Sequence, residues 1–181
     1  MIEALDVLAK VCVERGWPEI SIGIGINTGD MSVGDMGSKI RKAYTVMGDA
    51  VNLGARLEGL TRQYGVWTIV SEFTVAECPR VRFRELDKVL VKGKEQPVVI
   101  YEPVALESDL DDDNKRELEQ WDGLLEGYRD QKFEQVKKGL DSMATEFGDR
   151  TLYHWLRGAC DEYLANPPPE EWNGVTKFTT K

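Results

Sequence analysis

The spacing of apolar and polar residues predicts a helix followed by a strand in the first part of the chain. From Ile2 to Cys12, apolar residues recur every three or four positions, which is typical of an amphipathic helix, and Gly16 supplies its end. Isoleucine then alternates with small or polar residues from Ile20 to Asn27. This period of two predicts a strand with one bulky face in the core and one glycine-bearing face that another element can approach closely.

The residues after this strand predict a hairpin and a surface loop. Thr28, Gly29 and Asp30 have turn chemistry, and residues 31–33 are apolar enough to return as a second strand. Residues 34–42 read GDMGSKIRK, a basic segment with two glycines that matches neither of the common phosphate-loop motifs. We therefore expect a flexible surface loop there.

The stretch YTVMGDAVNLGARLE, residues 44–58, combines a strand, a turn and the start of a helix. β-Branched and aromatic residues favour an extended backbone up to a glycine, and Asp49 is a good N-cap for the helix that follows. The predicted buried stripe of that helix consists of Ala50, Leu53, Leu57, Leu60 and Tyr64. Asn52 and Arg56 lie one turn apart on another side, so their side chains can reach one common point.

Beyond this helix the pattern predicts further strands around a basic turn. Glycine at position 65 ends the helix, residues 66–71 are rich in β-branched side chains, and residues 72–76 can form a short helix. Two apolar runs then flank the turn Lys92-Gly93-Lys94. Paired lysines around a glycine are ordinarily the solvated tip of a hairpin, so a binding role for them requires an anion nearby.

A change in composition predicts a second unit after residue 105. Residues 106–117 are acidic and poor in large apolar groups, and we interpret them as a linker that follows a first unit of residues 1–105. Helical spacing returns in residues 118–166 and predicts about three helices. Residues 167–181 begin with three prolines and are expected to form a polar tail.

The predicted helices have a weak internal repeat. Trp121, Leu124 and Tyr128 match the opening of a tetratricopeptide repeat, and Trp155 follows Trp121 by one repeat length. The match covers about one and a half repeats, whereas a stable array needs about three or more. We therefore expect a TPR-like helical extension that packs on another surface.

Composition and charge argue against several classes of function. The chain has 181 residues and a formal net charge of −9, whereas nucleic acids and anionic membranes require a clustered positive surface. No segment is apolar for long enough to span a membrane, and the N-terminus carries acids where a signal peptide carries bases. We predict a cytoplasmic location, with no membrane segment in this chain and any membrane anchor of the parent protein lying upstream. The three cysteines lack the spacing of metal ligands.

Three motifs follow one another in a characteristic order: INTGDMSVGDMGS, YTVMGDAVNLGARLEGL and VLVKGK. Together they resemble the second half of a class III nucleotide cyclase catalytic domain of the bacterial adenylate cyclase type. The resemblance covers about residues 1–105 and implies an α+β fold. The expected architecture is a ferredoxin-like cyclase domain without its N-terminal strands, followed by a small α-helical hairpin region.

The resemblance implies an activity and a role for several residues. Enzymes of this family are phosphorus–oxygen lyases that convert ATP to 3′,5′-cyclic AMP and diphosphate in cyclic-nucleotide signalling. Asn52 resembles the asparagine that orients the ribose, and Arg56 the arginine that stabilises charge on the transferring phosphate. Lys92, or alternatively Lys94, resembles the lysine that meets the terminal phosphates. Such roles suit a reaction that depends mainly on positioning and charge neutralisation.

Thr45 stands where many family members carry an aspartate that receives the adenine amino group. A hydroxyl can accept the same hydrogen bond, but it lacks the charge and can also donate by rotating. Many bacterial members resemble this chain in having threonine there. The resemblance therefore favours ATP as the substrate.

One part of the family site is expected to be absent. Family domains begin with strands that carry two aspartates for Mg²⁺ or Mn²⁺ and an adenine-facing lysine, and these would precede Met1. We interpret Asp30, Asp35 and Asp49 as turn, loop and cap residues and assign no metal ligand to this chain. The missing strands would also leave open sheet edges and unburied apolar surface.

Two hypotheses follow for the function of the chain. In the first, it is part of an adenylate cyclase that acts on ATP in a homodimer, or with a complementary cyclase half, whose subunits share the site. In the second, it is a catalytically inactive cyclase-like interaction module that binds a protein partner through its C-terminal helices. Neither hypothesis involves nucleic acid.

Overall fold

The described part of the chain contains both helices and strands, and three consecutive helices lie near its C-terminal end. The computed structural model describes residues 2–18, 20–37, 42–91, 95–169 and 171–178. The helices are α1 (Ile2–Glu14), α2 (Asp49–Tyr64), α3 (Glu72–Ala76), α4 (Asp112–Arg129), α5 (Phe133–Phe147) and α6 (Thr151–Ala165). The strands are β1 (Ile24–Ile26), β2 (Ser32–Gly37), β3 (Lys42–Met47), β4 (Thr68–Ser71), β5 (Val81–Val91), β6 (Val98–Leu106) and β7 (Val175–Phe178). None of the helices in these ranges combines the length and apolar content of a membrane span.

Five of the strands form one mixed sheet in the order β1-β4-β6-β5-β7. β1 is parallel to β4, and β7 is parallel to β5. The β4–β6 and β5–β6 pairs are antiparallel. The sheet and the helices packed against it confirm the predicted α+β class. Within the described residues β1 lies at one open edge of this sheet and β7 at the other.

Strand β1 contacts helix α2 through its glycines, as the alternating pattern predicts. A Cβ atom added to Gly25 would lie 2.1 Å from the carbonyl oxygen of Gly54 and 2.4 Å from the amide nitrogen of Glu58. Only a residue without a side chain fits at this point. The helix backbone therefore rests directly on the strand backbone.

The isoleucines of the same segment are not in the core, contrary to our expectation. Ile20, Ile22 and Ile26 are 41%, 37% and 42% exposed, and the regular strand is confined to Ile24–Ile26. Successive side chains of an extended segment point to opposite sides, so packing of the glycines on α2 turns the isoleucines away from it. Their exposure leaves an apolar surface beside the open edge.

The predicted hairpin between β1 and the following strand is wrong. β2 instead pairs antiparallel with β3, from Ser32 opposite Met47 to Gly37 opposite Lys42. Much of segment 34–42 is therefore strand rather than surface loop, and residues 38–41 lie outside the described part of the chain. The aromatic and β-branched residues of β3 make it a good strand partner for β2, whereas β1 pairs with β4.

One hydrophobic core joins α2, the sheet and the three C-terminal helices. Trp121 on α4 is fully buried, and its Nε1 donates to the backbone carbonyl of Glu85 on β5 at 2.6 Å. The ring of Tyr64 at the end of α2 lies 4.5 Å from the ring of Trp155 on α6, between centroids. Helices α4, α5 and α6 confirm the three predicted helices. α4 packs on β5, α6 packs on α2, and α5 lies against both α4 and α6.

The predicted linker and tail have regular structure in part. Residues 106–117 include the end of β6, a 3-10 turn at Glu107–Asp109 and the start of α4. The division into two units stays a prediction. Within the predicted polar tail, Val175–Phe178 forms β7 and runs beside β5. Trp172 holds it in place by packing on the ring of Tyr163, with centroids 4.8 Å apart.

Candidate active site on helix α2

Helix α2 carries two of the predicted site residues on the side that its apolar stripe leaves uncovered. The buried residues of the stripe are Leu53, Leu57, Leu60 and Tyr64. Asn52 is exposed, and Arg56 is half-buried one turn later. Their spacing places both on one side of the helix. Thr45 is exposed on β3, which leads into α2 through Gly48.

The predicted phosphate-binding residues Lys92 and Lys94 lie outside the described residues. The structure describes the two strands on either side of them. β5 ends at Val91 and β6 begins at Val98, and the two strands pair antiparallel. The predicted flanking strands are thus confirmed, while the roles of the lysines stay predictions.

The turn between β3 and α2 depends on a glycine. Gly48 has φ 157° and ψ 164°, a combination found almost entirely in glycine. Asp49 is the first helical residue, so our expectation that it is the N-cap is wrong. Its carboxylate lies in the first turn, where the positive end of the helix dipole favours negative charge.

Arg56 has a buried nitrogen that lacks a partner in the described protein. Its Nη1 atom is inaccessible to solvent and makes no hydrogen bond to a described residue. A buried polar group without a partner costs roughly 1 to 3 kcal/mol, and more when it is charged. An anion could pair with this nitrogen once the Arg56 side chain turns outward, because guanidinium groups form strong hydrogen bonds with phosphate and carboxylate.

A polar network at the end of β1 reaches the first turn of α2. Asn27 Nδ2 donates to the carbonyl oxygen of Ala50 at 2.9 Å, and Asn27 Oδ1 accepts from Ser71 Oγ at 2.6 Å. The backbone N–H of Thr74 donates to Ser71 Oγ at 3.4 Å. Sequence analysis missed these partners. The available signal was Asn27, a polar residue where the isoleucine alternation ends.

The other end of α2 is tied to the sheet by a buried hydrogen bond. Tyr64 Oη donates to Asp87 Oδ2 at 2.7 Å. Burial raises the pKa of Asp87 to about 6, although hydrogen bonds from Thr176, Tyr64 and the Lys88 amide act to lower it. A register shift in β5 beside Asp87 turns both it and Leu86 inward.

No cluster of metal ligands marks the described residues. In these ranges no three side chains of histidine, cysteine, aspartate or glutamate lie together. Asp30 and Asp35 are both exposed, on the irregular segment before β2 and on β2 itself. Mg²⁺ is usually held by one or two carboxylates together with substrate phosphates.

Comparison with known proteins identifies similar catalytic domains. The family model for the adenylate and guanylate cyclase catalytic domain matches residues 1–102. Adenylate cyclase 1 of Rhizobium meliloti is 42% identical over 105 residues, which are 58% of this chain and 16% of that protein. The adenylate cyclase of Anabaena cylindrica is 46% identical over 96 residues, which are 51% of this chain and 19% of that protein. The chain thus spans less than a fifth of the length of these relatives.

A solved structure supports the same assignment of the fold. The crystal structure of the adenylyl cyclase CyaB from P. aeruginosa aligns with a TM-score of 0.52 and 31% sequence identity. The alignment covers 60% of this chain and 56% of that chain. The α+β fold of this chain is therefore that of a cyclase catalytic domain, as the resemblance implied.

Proposed function

This chain belongs to the adenylate and guanylate cyclase catalytic domain family, and from that premise we propose that it is part of an adenylate cyclase. In this proposal it contributes residues for the ribose, the transition state and the phosphates to a site shared with a second subunit. The observation that carries the proposal is the buried, unpartnered Nη1 of Arg56, one helical turn from the exposed Asn52. A nucleotide phosphate is the anion that this pair would receive.

The proposed reaction forms one bond and breaks another at the same phosphorus. The ribose 3′-oxygen of ATP bonds to the α-phosphorus, the bond from that phosphorus to the bridging oxygen breaks, and diphosphate leaves. The proton of the 3′-hydroxyl is released to solvent. Asn52 orients the ribose for in-line attack, since its amide can both donate to and accept from hydroxyl groups.

Arg56 acts on the charge that develops during this step. Its guanidinium group donates to the oxygens of the α-phosphate, and its half-buried position strengthens that interaction relative to water. Loss of a single donor of this kind costs on the order of 10²- to 10³-fold in kcat. Lys92, with Lys94 as the alternative, receives the terminal phosphates, and Thr45 accepts from the adenine amino group.

The metal ligands belong to another segment in this proposal. Class III cyclases use Mg²⁺ or Mn²⁺, and the described residues contain no cluster of three potential ligands for such an ion. An upstream segment or a second subunit would supply the carboxylates, and the shared site requires a dimer or a complementary cyclase half. We also propose residues 1–105 as the cyclase unit and residues 118–166 as a helical extension open to a protein partner.

The test is to complete the domain and then remove Arg56. The upstream part of the catalytic domain of the Rhizobium meliloti relative is joined before Met1, and cyclic AMP formation from ATP is measured. We expect Arg56→Ala to lower kcat by about 10²- to 10³-fold. We also expect the free energy of unfolding to stay within about 1 kcal/mol, because the variant removes a buried nitrogen that has no protein partner.

Arg62→Ala is the matched control, because Arg62 is an exposed arginine in the last turn of the same helix. Its kcat should stay within about twofold, since exposed substitutions away from a site have small effects. Undiminished activity of the Arg56→Ala variant would reject the role of Arg56. An inactive completed domain would favour the alternative, a cyclase-like interaction module without catalysis.

A further inference from the structure

The first two turns of α2 pack against residues 25–29, at the end of β1 and just after it. A Cβ added to Gly25 would lie 2.1 Å from the carbonyl oxygen of Gly54, and one added to Gly29 would lie 2.9 Å from the Cβ of Ala50. These distances are far below ordinary van der Waals contact. The part of α2 that carries Asn52 is therefore in direct contact with residues 25–29.

Asn27 lies at the centre of this contact and uses both ends of its amide. The NH₂ group donates to the carbonyl oxygen of Ala50, two residues before Asn52, and the amide oxygen accepts from Ser71 at the end of β4. Ser71 is fully buried, and it also caps α3 by accepting from the Thr74 N–H. Asn27 thus connects three segments that are distant in sequence and meet at the start of α2.

The orientation of the Asn27 amide follows from its partners. The Ala50 carbonyl can only accept, so the atom that faces it must be the donating nitrogen. The amide oxygen then faces the Ser71 hydroxyl, which donates to it. A side chain of the same shape without a donor would set an oxygen 2.9 Å from the Ala50 oxygen and would push the helix away.

We propose that Asn27 is a positioning residue for the cyclase reaction, which holds the first two turns of α2 so that Asn52 and Arg56 meet the nucleotide. This inference rests on the proposed function, because the two residues matter only if a nucleotide binds there. Asn27 itself does not touch the substrate. A displacement of about 1 Å in catalytic groups can lower the catalytic rate about 10²-fold, so the position of α2 affects catalysis directly.

The first measurement is hydrogen exchange on the full 181-residue chain, which needs no activity. Asn27→Asp keeps the shape of the side chain and its bond from Ser71 but loses the donor to Ala50. We expect backbone amides of residues 50–56 to exchange at least tenfold faster than in the wild type, while residues 57–64 stay within about twofold. Below about pH 4 the protonated carboxyl can donate again, and the difference should shrink.

Two control variants show whether faster exchange in residues 50–56 is specific to the loss of the Asn27 donor. Thr28→Val removes a hydroxyl whose oxygen lies 3.1 Å from that of Thr74 but which does not reach α2. Asn166→Asp makes the same chemical change at an exposed residue after α6. Both should leave exchange in residues 50–56 within about twofold of the wild type. If Asn27→Asp fails to fold, Asn27→Ser, which is neutral and too short to reach Ala50, replaces it.

The second measurement is activity in the completed domain described above. We expect Asn27→Asp to lower kcat by about 10- to 100-fold and to change KM for ATP by less than about threefold. Unchanged exchange in residues 50–56 would overturn the proposal whatever the activity, and so would faster exchange with an unchanged kcat. An inactive wild-type domain would reject the proposed function, whereas the exchange data would still decide whether Asn27 holds α2.

Discussion

Asp87 is a residue whose protonation depends on the packing around it. It is 1% exposed, and burial raises the pKa of its carboxyl to about 6. Its hydrogen-bond partners are Tyr64 on α2, Thr176 on β7 and the amide of Lys88, so one carboxyl joins three elements. The proton on this group is therefore linked to the stability of the fold.

The sign of this linkage gives a prediction for Asp87→Asn. Because the pKa of Asp87 is raised by folding, its protonated form stabilises the fold below the unfolded pKa near 4, and this contribution is lost as the pH rises through about 6. The variant cannot ionise. We expect its free energy of unfolding, relative to the wild type, to increase by up to about 3 kcal/mol between pH 4 and pH 7.

Urea denaturation at several pH values measures this difference. Asp109→Asn is the control, because Asp109 is exposed and accepts a hydrogen bond from the neighbouring Ser108. The control should show less than about 0.5 kcal/mol of change over the same range. A difference between Asp87→Asn and the wild type that does not vary with pH would contradict the linkage.

Thr45 gives a second prediction at the level of one residue. Its exposed hydroxyl can both donate and accept, whereas a carboxylate can only accept and therefore favours an amino group over a carbonyl oxygen. We expect Thr45→Asp in the completed domain to raise the ratio of kcat/KM for ATP to that for GTP by about tenfold or more. Thr145→Asp, an exposed change on α5, should leave the ratio unchanged. The same ATP-to-GTP ratio of kcat/KM in both variants would show that the residue at position 45 does not discriminate between the bases.

At the level of elements, the contact between β1 and α2 depends on Gly25. A Cβ at this position would meet backbone atoms of Gly54 and Glu58, which cannot move as a flexible side chain does. We expect Gly25→Ala to lower the free energy of unfolding by about 2 kcal/mol or more. Gly158→Ala on α6 meets nothing within 4 Å and should stabilise by up to about 1 kcal/mol. Thermal and urea unfolding of both variants test this, and a neutral Gly25→Ala would refute the close contact.

Elements with a strong local pattern could be predicted from the sequence, whereas their pairing could not. The helices, the flanking strands of the basic turn and the glycine face of β1 follow from spacing alone. The partners of β1 and β7 depend on contacts across most of the chain, and a local turn motif after β1 favoured the wrong hairpin. Likewise, helical spacing alone places Asn52 and Arg56 on one side of α2. The hydrogen bonds of Asn27 could not be predicted, because its partners Ala50 and Ser71 come close to it only in the folded chain.

At the level of the whole molecule, a buried charge network joins the sheet to the C-terminal helices. Arg84 on β5 is 1% exposed and lies 2.5 Å from Glu102 on β6 and 2.8 Å from Glu117 on α4. Glu117 also accepts from Arg150 Nη1 at 2.7 Å and from Tyr153 Oη at 2.5 Å. Burial acts to raise the pKa of Glu117, but these hydrogen bonds and charges lower it below its usual value. Glu117 is thus ionised at neutral pH and holds both arginines.

Removal of Glu117 should therefore weaken the whole fold rather than one region. Glu117→Ala leaves the buried Arg84 and the partly exposed Arg150 with fewer partners, and breaking a buried ion pair typically costs about 3 to 5 kcal/mol. We expect the free energy of unfolding to fall by this amount. In the wild type, we expect circular dichroism and tryptophan fluorescence to report the same single urea transition, since the sheet and the helices share one core.

Arg116→Ala is the neighbouring control, because Arg116 pairs with Asp113 and Glu146 at the surface. Exposed pairs contribute at most about 1 kcal/mol, so this variant should lie close to the wild type. Two separate transitions, with Glu117→Ala affecting the helical one alone, would show that residues 118–166 fold independently. A single transition that both probes follow would mean that the helical extension is required for the surface on which α2 presents Asn52 and Arg56.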